Sequence, residues 1–239
     1  MMTVLRPALA TSLALASFGW AADRTGVADA RAANPSDRQS LVARKFQVEA
    51  DRLLGQVTST SYRHRTRVVE AAGVYETDCK GLIAFLLRKI SPAHLEVLPV
   101  ATGRRKPRAV EYYEFFRGQP PVGQPSLTFW NRIPTLAEAQ PGDILAWRYR
   151  DIILGKNTGH VLIIESKPER GEGDIYRVEV VDSTGTTHDD DTRPRGTSGI
   201  GKGVMWFKVN SDGQAIAYQR NSMLPFKTAP IEMGRMADR

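Results

Sequence analysis

The chain has 239 residues, of which 41% are hydrophobic, 25% charged and 8% aromatic. This composition is typical of a globular protein of single-domain size, and it excludes a fibrous repeat, a mostly disordered chain and a multispanning membrane protein. Lys and Arg number 33 against 26 Asp and Glu, and the formal net charge of +7 favours acidic partners such as nucleic acid, anionic lipid or cell-wall polymer.

The first 30 residues resemble a secretory signal peptide. Residues 1–6 carry one positive charge, residues 7–22 are apolar and Ala-rich, and small-residue cleavage sites follow at 19–21 and 28–30. The apolar segment is too short for a membrane span of about 20 residues. We therefore expect a periplasmic or secreted protein with no stable membrane insertion after cleavage. The alternative is a weakly helical N-terminus on a cytosolic protein.

Two helices are predicted in the first part of the mature chain. The Asn-Pro-Ser-Asp sequence at residues 34–37 predicts the start of a helix over about 37–55, which forms most of an N-terminal extension at 31–57. The strongest helical pattern runs over residues 78–90, and a Ser-Pro pair ends it. Its apolar residues recur at the spacing of one helix face: Cys79, Leu82, Ile83, Leu86 and Ile90.

A change of pattern near residue 141 predicts a sheet in the second part of the chain. Before it come a basic loop at 101–108, interpreted as a solvated surface, and a short aromatic helix over 109–116. Helices followed by strands predict an α+β fold over residues 58–239. The candidate strands are 143–149, 159–166, 175–182, 204–209, 214–219 and 229–233, with a hairpin turn at 210–213.

Cys79 is the single cysteine of the chain, so no disulfide can form within it. It lies at the predicted start of the strongest helix. The unpaired amides of a first helical turn favour a thiolate, and they can also bind the oxyanion that forms when a thiolate attacks a carbonyl. Cys79 is therefore a candidate nucleophile. The alternative is a small apolar residue buried in the core.

Two polar residues on the predicted strands can complete such a site. His160 stands at the entrance of a strand and is a candidate general base, with a structural histidine as the alternative. Asp182 shares a strand face with Val178 and Val180 and can orient the imidazole, unless it only begins the following turn. His188 is another candidate for this third position, within residues 183–203, which we expect to be a mobile loop.

Three short motifs resemble the NlpC/P60 family of cell-wall cysteine peptidases. They are Asp-Cys-x-Gly-Leu-Ile from Asp78, Pro-Gly-Asp-Ile from Pro141 and Gly-His-Val-x-Ile-Ile from Gly159. The resemblance implies a papain-like fold in which N-terminal helices pack on an antiparallel sheet and the nucleophile begins a helix. It implies that Cys79 is the nucleophile, His160 the general base and Asp182 the third catalytic residue.

The same resemblance implies a substrate class. In this family the residue before the cysteine binds the free amine of the substrate, a role that falls on Asp78, and an upstream tyrosine lies near the nucleophile. Tyr62 matches that tyrosine better than Tyr75 does. Lys80 stands where the family usually has Ser. The implied reaction cleaves amide bonds in peptidoglycan stem peptides through a thioester. The contrasting function is a non-catalytic, basic wall-binding domain on the same scaffold.

Other motifs do not support a cofactor or nucleic-acid site. Residues 196–202 match part of a phosphate-binding loop, but Gly203 follows where Ser or Thr is needed. The run of three aspartates at 189–191 lacks the spacing of a calcium loop and is interpreted as solvated charge. The one cysteine and four histidines show no zinc spacing, and no nucleic-acid recognition motif is present. We expect no cofactor and no metal.

Overall fold

Four helices pack against one face of a long antiparallel sheet in the computed structural model of the protein, which describes residues 39–153 and 156–238. The α+β prediction is therefore confirmed. The helices are α1 (Leu41–Leu54), α2 (Cys79–Ile90), α3 (Pro92–Thr102) and α4 (Ala109–Arg117). The residues of the predicted signal peptide lie outside the described part of the chain. Among the described helices, none is long and apolar enough to cross a membrane.

The strands form two sheets. The three-stranded sheet has the order β1-β3-β2, with β1 parallel to β3, and the nine-stranded sheet has the order β11-β10-β9-β8-β6-β5-β12-β4, with β7 beside β8. The strands are β1 (Ser59–Tyr62), β2 (Arg67–Val69), β3 (Val74–Thr77), β4 (Trp130–Arg132), β5 (Ile144–Arg148), β6 (Gly159–Ile164), β7 (Glu169–Arg170), β8 (Ile175–Thr184), β9 (Gly199–Val209), β10 (Ala215–Gln219), β11 (Lys227–Thr228) and β12 (Ile231–Met236).

The first helix differs from its prediction at its start. α1 begins at Leu41 rather than at residue 37, because the Ser40 hydroxyl accepts a hydrogen bond from Ala43 N and caps the helix. The signal at residues 34–37 lies outside the described residues. The helix ends at Gly55, as predicted. Its apolar face is buried in the same core as α2, so this helix is part of the folded body.

The second helix ends at Ile90 as predicted but begins at Cys79 rather than at residue 78, because Asp78 caps it by accepting from Gly81 N at 2.9 Å. The Ser-Pro pair predicts only the end of this helix, whereas the structure has a further helix, α3, directly after it. Proline at the first position of a helix loses no hydrogen bond, because that N–H has no intrahelical partner. Pro92 therefore both ends α2 and begins α3.

The nine-stranded sheet is buried on both faces. On β6, Val161 and Ile163 face the helices, whereas Leu162 and Ile164 belong to a second apolar cluster. Neighbouring side chains of a strand point to opposite faces. His160 therefore shares the face of Leu162, where its ring contacts that of Trp147, its cross-strand partner on β5, at a centroid distance of 4.9 Å.

The prediction of a mobile loop at residues 183–203 is wrong. β8 continues through Thr184 and β9 begins at Gly199, so both ends of this segment are strands and residues 185–198 connect them. The connection between them carries the buried residues His188 and Arg193. The polar composition of this connection predicts a solvated segment, but several of its polar side chains form hydrogen bonds in the interior.

Candidate active site

Cys79 is the first residue of α2 and is buried, with 5% of its surface exposed. Its thiol lies beside the start of β6, where the backbone N–H of Val161 is directed at the sulfur. The first-turn N–H groups of Cys79 and Lys80 are those that a helix leaves without intrahelical partners. The nucleophile candidate therefore stands among backbone donors from a helix end and from a strand.

Burial nevertheless dominates the ionisation of this thiol. It raises the pKa of Cys79 to about 11, and the negative charge of Asp78 acts in the same direction. The Val161 N–H and the ammonium of Lys80 favour the thiolate but only partly offset these effects. The thiol is thus protonated near neutral pH, contrary to the expectation that the helix N-terminus would favour a thiolate.

His160 and Asp182 form a buried pair. His160 Nε2 lies 2.6 Å from Asp182 Oδ2, and both side chains are almost fully inaccessible to solvent. Burial lowers the pKa of His160, although Asp182 opposes this shift. Because a carboxylate oxygen accepts, the Nε2 atom donates in this bond. The neutral imidazole then keeps Nδ1 as its acceptor.

His188 is a second histidine on the same carboxylate. Its Nε2 lies 3.1 Å from Asp182 Oδ2, and its Nδ1 lies 3.0 Å from the carbonyl oxygen of Arg220. Both ring nitrogens of His188 therefore face oxygen atoms of the interior. His188 thus lies behind the His160–Asp182 pair rather than in a mobile loop.

Arg193 completes the surroundings of Asp182. Its Nη1 lies 3.4 Å from Asp182 Oδ1, and its Nη2 lies 2.6 Å from Asp191 Oδ2. Burial would raise the pKa of Asp182, but the charge of His188 and the hydrogen bonds from both histidines outweigh it. The pKa lies well below the ordinary value. Asp182 is therefore an anion held by three partners.

The structure brings Cys79 and His160 to the same end of β6 but does not join them by a hydrogen bond within the described residues. Val161, whose N–H is directed at the thiol, faces α2, whereas the His160 ring lies on Trp147 on the other face of the strand. Trp147 is in turn stacked on Tyr218 at 4.1 Å, which fixes the imidazole plane. The two reactive groups are neighbours along the strand rather than a preformed pair.

A cleft of about 420 Å³ opens beside Cys79. Asp78, Tyr62 and Thr158 line it together with a large group of basic side chains. The cations are Lys80, Arg104, Lys106, Arg108 and Lys156, with His64 beside them. The segment predicted as a solvated basic loop therefore forms one wall of the cleft.

Tyr62 and Tyr75 occupy different environments. Tyr62 lines the cleft, and burial raises the pKa of its hydroxyl, followed by the charges of Cys79 and Asp78. Tyr75 is buried in the helix-side core, where its ring meets that of Phe85 edge-on. Of the two tyrosines, Tyr62 is thus the one that lies at the candidate site.

Asp78 has partners for both of its oxygens. Oδ1 accepts from Gly81 N, while Oδ2 forms an ion pair with Lys80 and lies 3.5 Å from His64 Nδ1. That Asp78 binds a substrate amine stays a prediction. In this arrangement the chain's own ammonium stands where the resemblance expects that amine.

Comparison with known proteins places the chain in a family. It is 30% identical, over 183 residues, to the uncharacterized protein R653 of Acanthamoeba polyphaga mimivirus; the alignment covers 67% of this chain and 77% of the viral protein. The chain belongs to the family of this viral protein. No family model matches the chain, and no solved structure matches it.

The prediction that the three aspartates at 189–191 are solvated charge is wrong for two of them. Asp189 accepts from the indole of Trp206 and from Ser222, and Asp191 accepts from His188 N and from Arg193. Asp190 alone of the three has a largely exposed side chain. Within the described ranges, no cluster of His, Cys, Asp or Glu could hold a metal ion.

Arg193 is the residue of the site that sequence analysis missed. The Thr-Asp-Arg-rich segment around Arg193 has the composition of a solvated loop. The burial of Arg193 follows from its ion-pair partners, which this composition does not reveal. The Asp-x-Arg spacing, which lets Asp191 bind the guanidinium, is the signal that could have identified it.

Proposed function

We propose that this protein is a cysteine hydrolase of the papain-like NlpC/P60 type that cleaves amide bonds. One observation carries the proposal: Cys79 begins a helix at the wall of a cleft, beside the strand end that carries the His160–Asp182 pair. A nucleophile, a base and an orienting carboxylate are the groups that acyl transfer through a thioester requires.

Proton transfer and attack occur together in the proposed first step. Because the thiol of Cys79 is protonated at rest, its proton passes to His160 Nδ1 as the sulfur bonds to the carbonyl carbon of the substrate. Asp182 stabilises the imidazolium that forms. The negative charge that moves to the carbonyl oxygen is received by backbone N–H groups at the start of α2.

The second half of the reaction returns the enzyme to its starting state. The carbon–nitrogen bond breaks, His160 gives its proton to the leaving amine, and a thioester joins the acyl group to Cys79. Water then attacks the thioester while His160 takes one of its protons, and the thiol is regenerated as the acid leaves. These steps require Cys79 and His160 to approach more closely in the substrate complex, as catalytic hydrogen bonds often do.

The proposed substrate is the peptidoglycan stem peptide, cleaved in the periplasm or outside the cell. The three short motifs and the signal-like first 30 residues support this proposal. The net charge of +7 also suits a polyanionic wall. Tyr62, at the cleft beside Cys79, is the proposed contact for the acyl part of the substrate.

Muropeptide hydrolysis tests the proposal. Purified mature protein is incubated with a set of stem peptides and with intact sacculi, and new amines are quantified by chromatography and mass spectrometry. We expect turnover that Cys79→Ala abolishes and that His160→Ala lowers by about 100-fold or more. Lys45→Ala, on the exposed surface of α1, is the matched control and should retain full activity. Equal rates for Cys79→Ala and the unaltered protein would refute the proposal.

A non-catalytic wall-binding domain is the second candidate. The raised pKa of Cys79 favours it, as does the lack of a hydrogen bond between this thiol and His160 in the described structure. Cosedimentation with sacculi separates the two functions. Binding without hydrolysis, unaffected by Cys79→Ala, is the outcome expected of a binding domain.

A further inference from the structure

We propose that the cleft beside Cys79 selects an acyl substrate that carries an anionic group, a carboxylate or a phosphate, next to the bond to be cleaved, and that it does not select a free amine. This inference rests on the proposed function and deepens it by naming the substrate class.

The acidic group of the cleft is already neutralised from within the chain. Asp78 is buried, it forms an ion pair with Lys80, and its other oxygen caps α2. A substrate amine would have to displace the Lys80 ammonium, which is tethered two residues away and forms the ion pair without losing the translational and rotational entropy of a free ligand. The cleft therefore offers little attraction to a cation.

The basic groups, in contrast, exceed their acidic partners. Arg108 is held by Glu111, and Arg104 lies 4.0 Å from the same carboxylate. Lys106 and Lys156 line the cleft, are exposed, and have no ion-pair partner in the part of the chain that the structure describes. Two ammonium groups without ion-pair partners in the described residues produce a field at the cleft that concentrates anions.

Charged thiol reagents test this inference directly, because Cys79 is the single cysteine. Sulfonatoethyl and trimethylammonioethyl methanethiosulfonate are matched in size and opposite in charge. With either one the Cys79 sulfur attacks the sulfenyl sulfur, a mixed disulfide forms and methanesulfinate leaves. The ratio of the anionic to the cationic rate constant is divided by the same ratio for a small free thiol. The quotient reports the potential at Cys79 and cancels the intrinsic reactivity of the thiol and of both reagents.

We expect this quotient to be about tenfold or more in favour of the anionic reagent and to fall as salt screens the field. The Lys106→Glu, Lys156→Glu double variant should lower it by at least about tenfold. The matched control is Lys45→Glu, combined with Lys227→Glu to equal the change in net charge; both residues are exposed and neither lines this cleft. A quotient of one or below, or an equal fall in the control, would overturn the proposal.

Two further arms complete the design. Lys80→Ser frees the Asp78 carboxylate and should shift the quotient towards the cationic reagent; an unchanged quotient contradicts the part assigned to Lys80.

N-acetylglutamate and glycerol phosphate are then compared as protectants of Cys79, and the more effective one identifies the anionic group. Protection by neither overturns the inference. A high quotient without any amide hydrolysis would refute the proposed function but leave the charge selectivity established.

Discussion

The imidazole of His188 and the carboxylate of Asp182 meet at 3.1 Å in the interior of the protein, directly behind the His160–Asp182 bond. One carboxylate oxygen thus receives both histidines. The other ring nitrogen, His188 Nδ1, lies 3.0 Å from the carbonyl oxygen of Arg220, so the ring is fixed between two oxygen atoms. His188 therefore orients the Asp182 carboxylate, while His160 keeps the nitrogen that can take a proton.

The ionisation of Cys79 is predicted to respond in opposite directions to its two charged neighbours. Asp78→Asn removes a negative charge that raises the pKa of the thiol but retains a capping side chain, so alkylation by iodoacetamide at pH 8 should become about fivefold faster. Lys80→Ala removes a charge that favours the thiolate and should slow alkylation. The rate for the unaltered protein should rise with pH towards a pKa of about 11.

The pH profile of alkylation also distinguishes two kinds of cysteine site. An apparent pKa below the free-thiol value of about 8.5 would indicate a preformed thiolate–imidazolium pair and contradict the protonated resting thiol described above. Far-ultraviolet circular dichroism of each variant confirms that α2 persists, since loss of the helix would change exposure as well as charge.

Arg193 is predicted to be essential for stability. Arg193→Met leaves Asp182 and Asp191 in the interior without their cation, and removing one partner of a buried ion pair costs about 3–5 kcal/mol. Urea unfolding monitored by tryptophan fluorescence measures the loss. Arg117→Met, which removes an exposed pair with Glu114, is the control and should cost less than about 1 kcal/mol. Equal losses for the two variants would show that Arg193 has no structural role.

Glu165 is predicted to make stability fall as pH rises. Burial raises its pKa to about 8, and the neighbouring Asp51 on α1 adds to the shift. The folded protein therefore binds a proton that the unfolded chain releases near pH 4.5. This contribution to stability is complete below pH 4.5 and is lost as pH rises through about 8.

Replacing Glu165 tests that sign. The glutamine of Glu165→Gln cannot ionise. The free energy of unfolding of this variant, minus that of the unaltered protein, should therefore increase between pH 5 and pH 9. The increase is about 1.4 kcal/mol for each tenfold difference in proton affinity between the folded and unfolded states. Thermal unfolding across this range provides the measurement. Glu172→Gln alters an exposed carboxylate and should show no such trend. A difference independent of pH for Glu165→Gln would mean that the folded and unfolded states share one pKa.

Gly159 is predicted to tolerate no side chain. Its φ of 150° is unfavourable for other residues, and an added Cβ would lie 1.9 Å from the carbonyl oxygen of Trp147. Gly159→Ala must therefore separate β5 from β6 at the start of β6, next to His160. This should lower the free energy of unfolding by more than about 1 kcal/mol. Gly185→Ala, where nothing lies within 4 Å, is the matched control. Chemical unfolding that shows the same stability for both variants would contradict this account of the strand start.

Much of the local structure could be predicted from the sequence because it depends on residues close together in the chain. The bounds of α2 follow from its apolar spacing and from Asp78, which caps it three residues before Gly81. The hairpin at residues 210–213 was predicted from its turn residues and joins β9 to β10. β1 is polar throughout and β2 has only three residues, so neither strand carries an alternation of apolar and polar residues that predicts it.

What the sequence alone determined is thus the α+β order of elements and the positions of Cys79, His160 and Asp182 at the ends of predicted elements. Only the tertiary structure decided how these groups are ionised and which residues contact them. Burial reverses the thiolate preference of a helix N-terminus, and His188 and Arg193 reach Asp182 because β8 and β9 fold the intervening segment back over the strand end. Desolvation and long-range charge depend on three-dimensional distance, which no spacing along the chain specifies.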